Sequence, residues 1–372
     1  MSDTSAADLT TLRPPTGIGP LAWAKKNLFS TIPNTVLTLL GVWITWKLAS
    51  AIVDWALLRA VFTGSDGTAC SKPGAGACWP FITHKLDAFI YGRYPVDERW
   101  RVNLTFLLAA IGLGGLMMPS VPRKGLFALF TFVVFPVIAY YLLTGAPALG
   151  LPIVETERWG GLFVTLVVAI VGIVASFPIA ILLALGRRSK LPFVRWASIG
   201  FIELVRGVPL ITMLFMASVM LPLFLPEGVN FDKLLRALIG VSLFSGAYLA
   251  EVVRGGLQAI PRGQYEAADA LGLSYPQKMG LIVLPQALKL VIPGIVNSSI
   301  ALFKDTSLVL IIGLFDLLGI VQQAISSDQT WFSPSTPATG YIFAGFVFWI
   351  FCFGMSRYSQ WMERRLGAGD KR

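Results

Sequence analysis

Eight apolar runs, each about as long as a lipid bilayer is thick, dominate this sequence. A helix needs about 20 predominantly apolar residues to cross the hydrocarbon layer. The segments at roughly 34–58, 102–119, 125–146, 160–186, 197–225, 234–254, 286–304 and 340–362 meet that requirement. Charged residues make up 13% of the chain and hydrophobic ones 55%, whereas a soluble domain carries about 25% charge. The expected fold class is therefore an all-α membrane protein with about eight transmembrane helices. A further apolar stretch, Ser307–Leu318, is too short to cross and is expected to be re-entrant or interfacial.

The net charge of +10 sits in short clusters between the apolar runs. That is a topology signal and not a nucleic-acid surface. Arg123 and Lys124 form one cluster, and Arg187, Arg188, Lys190 and Arg195 another. Cytoplasmic loops collect such residues, so both chain ends are expected in the cytoplasm. Arg13 at one end and Arg357, Arg364, Arg365, Lys371 and Arg372 at the other agree with that. The polar stretch Met1 to Asn27 and the length of the first apolar run argue against a cleavable signal peptide. The tryptophans fall largely near predicted helix ends, as interfacial anchors do.

The loop from Arg59 to Arg101 is then periplasmic. It holds Cys70 and Cys78 with Pro73, Gly74 and Gly76 between them. A disulfide is permitted in that compartment; the alternative is two unpaired thiols. Cys352 reads as a packing residue in the last helix. His84 is the single histidine, so no multi-histidine metal site is expected. The sequence holds no Gly-x-Ser-x-Gly, no His-Glu-x-x-His and no Gly-x4-Gly-Lys-Ser/Thr. An ATP site of the Walker type is thus not expected in this chain.

The most specific pattern is Glu266-Ala267-Ala268, three residues, Gly272, nine residues, then Ile282-Val283-Leu284-Pro285. It reads as two short helices joined at a glycine, hanging in a cytoplasmic loop. Arg262 and Glu266 are four apart and suited to pair. The small alanines leave a slim helix able to enter a narrow cleft, and Gly272 suits the left-handed residue that ends a helix. Ser274 caps the second helix, with Pro276 in its first turn.

Charges inside apolar runs cost roughly 2.5–3.5 kcal/mol each at a helix centre. Glu203 and Arg206 are three apart on one face of the fifth segment, about 10–17 Å deep when counted from Arg195 along a straight helix. They read either as an ion pair that fixes packing or as a pair lining a pathway. Pro209 follows and breaks the backbone ladder. Lys304, Asp305, Thr306 and Ser307 place a cation, an anion and two hydroxyls side by side. Such a set suits a zwitterion: donors for a carboxylate, an acceptor for an ammonium. Broken helices at depth commonly carry sites of this kind; the other reading is a structural turn. Glu251 and Arg254 repeat the three-residue spacing and read as structural or coupling residues, while Asp316 reads as reaching the outer water.

The glycine-hinged pattern resembles the EAA loop of ABC-importer permeases, the element that docks into the ATPase subunits. Ala247-Tyr248-Leu249-Ala250-Glu251, Pro261-Arg262-Gly263-Gln264, Leu284-Pro285-Gln286-Ala287-Leu288, Glu203 to Leu210 and Lys304 to Leu308 extend the likeness over about residues 159–365. Together they resemble the polar amino-acid branch, with its histidine, glutamine and arginine permeases. Arg99-Trp100-Arg101-Val102-Asn103 is similar to the M-type permeases of general L-amino-acid transporters. The resemblance implies a five-helix type I permease core at 159–365, after a three-helix extension at 1–158 and before a tail at 366–372. It implies alternating access in a bacterial inner membrane. It also implies partners: a homologous second permease, an ATPase dimer holding ATP and Mg, and a periplasmic amino-acid-binding protein. Glu266, Ala267, Ala268 and Gly272 would then couple to the ATPase, and Lys304, Asp305, Thr306, Ser307, Glu203 and Arg206 would meet substrate. An ion-coupled secondary transporter is the main alternative; an integral-membrane enzyme lacks its chemistry here.

Overall fold

A computed structural model describes residues 19–118, 120–226 and 231–367. Arg13, Pro119, Lys371 and Arg372, and with the last two the tail beyond Gly367, lie outside the described residues. In chain order the helices are α1 (Pro20–Asn27), α2 (Ile32–Leu58), α3 (Trp79–Tyr91), α4 (Val96–Met117), α5 (Lys124–Thr144), α6 (Gly161–Arg187) and α7 (Pro192–Arg206). They continue with α8 (Leu210–Phe224), α9 (Lys233–Ala259), α10 (Arg262–Ala270), α11 (275–290), α12 (Ile292–Ile312), α13 (Leu317–Ser327) and α14 (Thr336–Gly367). Among the described residues seven helices are long and apolar enough to cross a membrane, and α7 with α8 make an eighth if taken as one span. The fold is all-α, and the chain is a multi-pass membrane protein.

Three expected boundaries change. The segment expected at 197–225 is not one straight helix: α7 and α8 meet at 106°. Pro209 lacks an N–H and disfavours helical geometry at Val208, so the ladder stops at Gly207. Depth counted along a straight span therefore does not apply to Glu203 and Arg206. The segment expected at 286–304 begins later, because Val291 separates α11 from α12 and Pro293 takes the first turn of α12. Ser307–Leu318 is not one unit either. Residues 306–312 tighten into a 3-10 continuation of α12, Gly313 turns left-handed at φ 77°, and α13 starts at Leu317.

Prolines also mark where helices loosen. Three of the four π-helical turns among the described residues, Phe130–Val134, Met216–Met220 and Lys278–Val283, end two residues before a proline, at Pro136, Pro222 and Pro285; Asp54–Leu58 does not. A proline inside a helix leaves the carbonyl four residues back without its donor, and the wider turn absorbs that defect.

The central pair is α6 against α9. Gly172, Ser176, Ala180 and Ala184 recur every four residues on α6 and are buried, a ridge of small residues that lets two backbones approach. A Cβ on Gly246 of α9 would stand 2.6 Å from the Ile179 side chain. Asp316 corrects the reading that put it in water: it is fully buried and accepts from the backbone N–H of Gly319 at 2.9 Å, capping α13.

The N-terminal helices α2, α4 and α5 attach to the rest of the bundle at one end. No residue of Ile32–Val53 is buried; α2 is held at its far end by bonds such as Ala77 N–H to the Trp55 carbonyl at 2.9 Å. Arg101 of α4 is fully buried, donates to the Pro152 carbonyl at 3.1 Å and pairs with Glu98 at 2.9 Å. Cys70 and Cys78 form a disulfide. The Cys78 N–H donates to the Thr339 hydroxyl at 2.9 Å, and Lys85 pairs with Asp328, so the loop is fastened to α13 and α14. The Lys85 ammonium and the Thr330 hydroxyl hold the Asp328 carboxyl below its usual range. The stabilisation from that pair is therefore full above the usual carboxylate range and is lost as pH falls through that range to the lowered value. Gly92, at φ 65°, lies so close to Gly160 that an added Cβ would come within 2.3 Å of its Cα. A side chain has no place there.

Candidate functional site

At one end of the bundle, α10 and α11 form a closed two-armed unit. Gly272 adopts φ 71°. Its N–H bonds to the Asp269 carbonyl at 3.0 Å, and the Leu273 N–H reaches the Ala268 carbonyl at 3.2 Å. This pair of hydrogen bonds is the Schellman closure of α10. No atom lies within 4 Å of a Cβ built on Gly272, so the glycine serves conformation and not close packing. Ser274 and Gln277 cap α11 reciprocally. Asp269 pairs with Lys278, and the Gln286 amide donates to Gln264 at 3.1 Å, tying the two arms together. The ion pair expected between Arg262 and Glu266 is not the one formed.

Ala268 is buried, while Glu266, Ala267 and Leu271 face outward. Met279, Val283 and Ala287 of α11 pack against Leu249, Val253 and Leu257 of α9. The arms are therefore rooted in the bundle, and their outer faces carry an acid, a small residue and a leucine without cover. A rigid, partly apolar surface of this kind fits a partner protein.

Beside it lies an ion network. Arg187, ending α6, donates to Glu203 of α7 at 2.8 Å and pairs with Glu251 of α9 at 3.0 Å; Arg254 bonds Glu251 at 2.8 Å. Glu203 thus pairs with Arg187 and not with Arg206, which corrects the reading of those two as a pair. Arg206 lies over the Tyr248 ring instead, 5.5 Å from its centroid. Arg187 is the member that the sequence reading missed, because its partners are 16 and 64 positions away in the chain.

The four residues from Lys304 to Ser307 end the α-helical part of α12. Lys304 is exposed and Asp305 half-buried, and neither has an ion pair among the described residues. Thr306 is fully buried and its hydroxyl donates to the Phe303 carbonyl at 2.8 Å; Ser307 donates to the Lys304 carbonyl at 3.0 Å. Both hydroxyls spend their protons within the helix. This removes them as ready donors to a carboxylate and leaves the charges of Lys304 and Asp305 as the unmatched groups.

A family described as Binding-protein-dependent transport system inner membrane component matches residues 176–368. The inner membrane amino-acid ABC transporter permease protein YhdY of Escherichia coli strain K12 is 53% identical across 94% of both chains. This chain belongs to that permease family. The permease is also 40% identical to the glutamate/glutamine/aspartate/asparagine transport system permease protein BztC of Rhodobacter capsulatus, over 98% of this chain and 99% of the other. The L-cystine transport system permease protein TcyB of Bacillus subtilis is 33% identical over 60% of this chain and 94% of its own. Two of these relatives thus match the permease along nearly its whole length, including α2 to α5, whereas the third matches little more than half of it. The family comprises membrane components of transport systems and not catalysts.

Proposed function

We propose that the chain is the translocating permease of an ATP-driven, binding-protein-dependent importer that carries L-amino acids across a bacterial inner membrane by alternating access. The closed two-armed unit of α10 and α11, with Glu266, Ala267 and Leu271 exposed, is the observation that carries this reading, and the names of the relatives support the substrate class. In this reading residues 159–365 are the transporting core, 1–158 an extension with three spanning helices and a periplasmic loop, and 366–372 a cytoplasmic tail. Both termini face the cytoplasm. The core pairs with a homologous permease, a periplasmic binding protein delivers substrate, and an ATPase dimer holds ATP and Mg. ATP bound outside the membrane shifts the pore only if the two conformations bind it unequally. Glu266, Ala267, Ala268 and Gly272 form the contact through which that difference passes. Lys304 and Asp305 supply opposite charges for a zwitterion on the substrate side.

Uptake by proteoliposomes holding the full complex tests the proposal. With ATP supplied and no ion gradient, amino-acid uptake should exceed the ATP-free control by at least about tenfold. Uptake that follows a proton or sodium gradient and ignores ATP would establish a secondary transporter instead.

A further inference from the structure

Arg187 and Arg188 are adjacent, yet their side chains serve different neighbours. Arg187 joins α6 to Glu203 of α7 and Glu251 of α9. Arg188 turns toward α10. Its guanidinium donates to the Leu257 carbonyl at 2.9 Å and to the Tyr265 hydroxyl at 3.0 Å, and it lies 5.5 Å from the centre of the Tyr265 ring. The Tyr265 hydroxyl in turn donates to the same Leu257 carbonyl at 3.0 Å. Leu257 belongs to the last turn of α9, where carbonyls have no donor within the helix. Two side-chain donors from two different elements converge on one such carbonyl, a favourable place for a cation at a helix C-terminus.

The triangle therefore joins the end of α6, the end of α9 and the body of α10. It borders an open cavity of about 370 Å³ lined also by Gln258, Ile260, Arg262 and Glu266, so α10 has space on that side to shift against α9. Other ties of α10, through Gln264 and Asp269, lead to α11. Arg188 is the charged tie from α10 to α6.

We propose that Arg188 is a positioning residue for energy coupling: with Tyr265 it links displacement of α10 to α6, and through Arg187 to the ion network on α7 and α9. The proposal rests on the importer reading above. Breaking the triangle should leave the ATPase bound and hydrolysing, while less of that hydrolysis drives transport.

The test uses the whole complex in proteoliposomes and compares Arg188→Ala, Arg188→Lys, Tyr265→Phe and the Arg188→Ala/Tyr265→Phe double variant. Substrate carried per ATP hydrolysed should fall about tenfold in Arg188→Ala, with ATPase co-purification unchanged. Arg188→Lys keeps the cation without the planar fork and should fall in between. Tyr265→Phe keeps the ring and loses the hydroxyl, and should also lower the ratio. The double variant should be no worse than Arg188→Ala, because both residues act through one contact. If Arg188→Ala fails to assemble, Tyr265→Phe decides the matter. A wild-type ratio in Tyr265→Phe, or uptake and hydrolysis falling in parallel in the assembled variants, overturns the proposal. ATP-independent uptake by the wild-type complex would instead remove the importer reading, so the two failures are distinguishable.

Discussion

Replacing Glu266 by lysine should release the ATPase subunits from membranes that contain this permease. Glu266 lies on the outer face of α10, exposed and without an ion pair among the described residues, so its carboxylate is available to a partner. Truncating one member of a charged pair buried at an interface costs on the order of 2–5 kcal/mol, and charge reversal adds repulsion. A loss of about two to three decades in affinity follows. The fold of the two arms does not depend on Glu266. It depends on the Schellman closure at Gly272, the capping pair Ser274 and Gln277, and the tie from Asp269 to Lys278. Glu266→Lys should therefore leave the permease folded and inserted while co-purification of the ATPase fails. Unchanged co-purification would count against docking through this face.

Asp305→Asn should abolish uptake and leave assembly with the ATPase intact. The substitution preserves shape and removes only the charge. Asp305 is half-buried where α12 tightens into its 3-10 turn, and it makes no ion pair among the described residues. A carboxylate in an apolar span is costly, and in the proposed importer a transported ammonium would relieve that cost. Without it the expected loss of uptake is on the order of a hundredfold or more, from the 2–5 kcal/mol of a broken buried pair. Normal uptake kinetics in Asp305→Asn would remove this residue from the substrate site. The neighbouring hydroxyls are less exposed to such a test, since Thr306 and Ser307 donate to their own helix.

The sequence carried local signals well and tertiary pairings poorly. The apolar runs that become α2, α4, α5, α6, α9 and α14 stand out because each is a continuous apolar helix about as long as a bilayer is thick. Gly272, Ser274 and Pro276 mark the turn between α10 and α11, since closure and cap geometries depend on neighbours within a few residues. Pro209 marked one break, but not its 106° angle, while the break at Val291 ahead of Pro293 went unread inside the segment expected at 286–304. Glu203 and Arg206 looked paired because three-residue spacing suits a helix face. Arg187 competes for Glu203 from another helix, and only the fold brings it there. The same holds for Arg188 and Tyr265, 77 positions apart. The burial of Asp316 was hidden because a short capped helix in an apolar setting looks, in sequence, like a loop ending in water.

The proposed importer requires α10 and α11 to lie in the cytoplasm against a second polypeptide. Leu271 lies at the tip of that unit and is 75% exposed, so a Leu271→Cys variant, with Cys352 changed to alanine, reports on it directly. In intact cells the new thiol should resist a membrane-impermeant reagent, and in inverted vesicles it should cross-link to the ATPase. Labelling from the periplasm, or a thiol reachable from neither side of the membrane, would contradict the account.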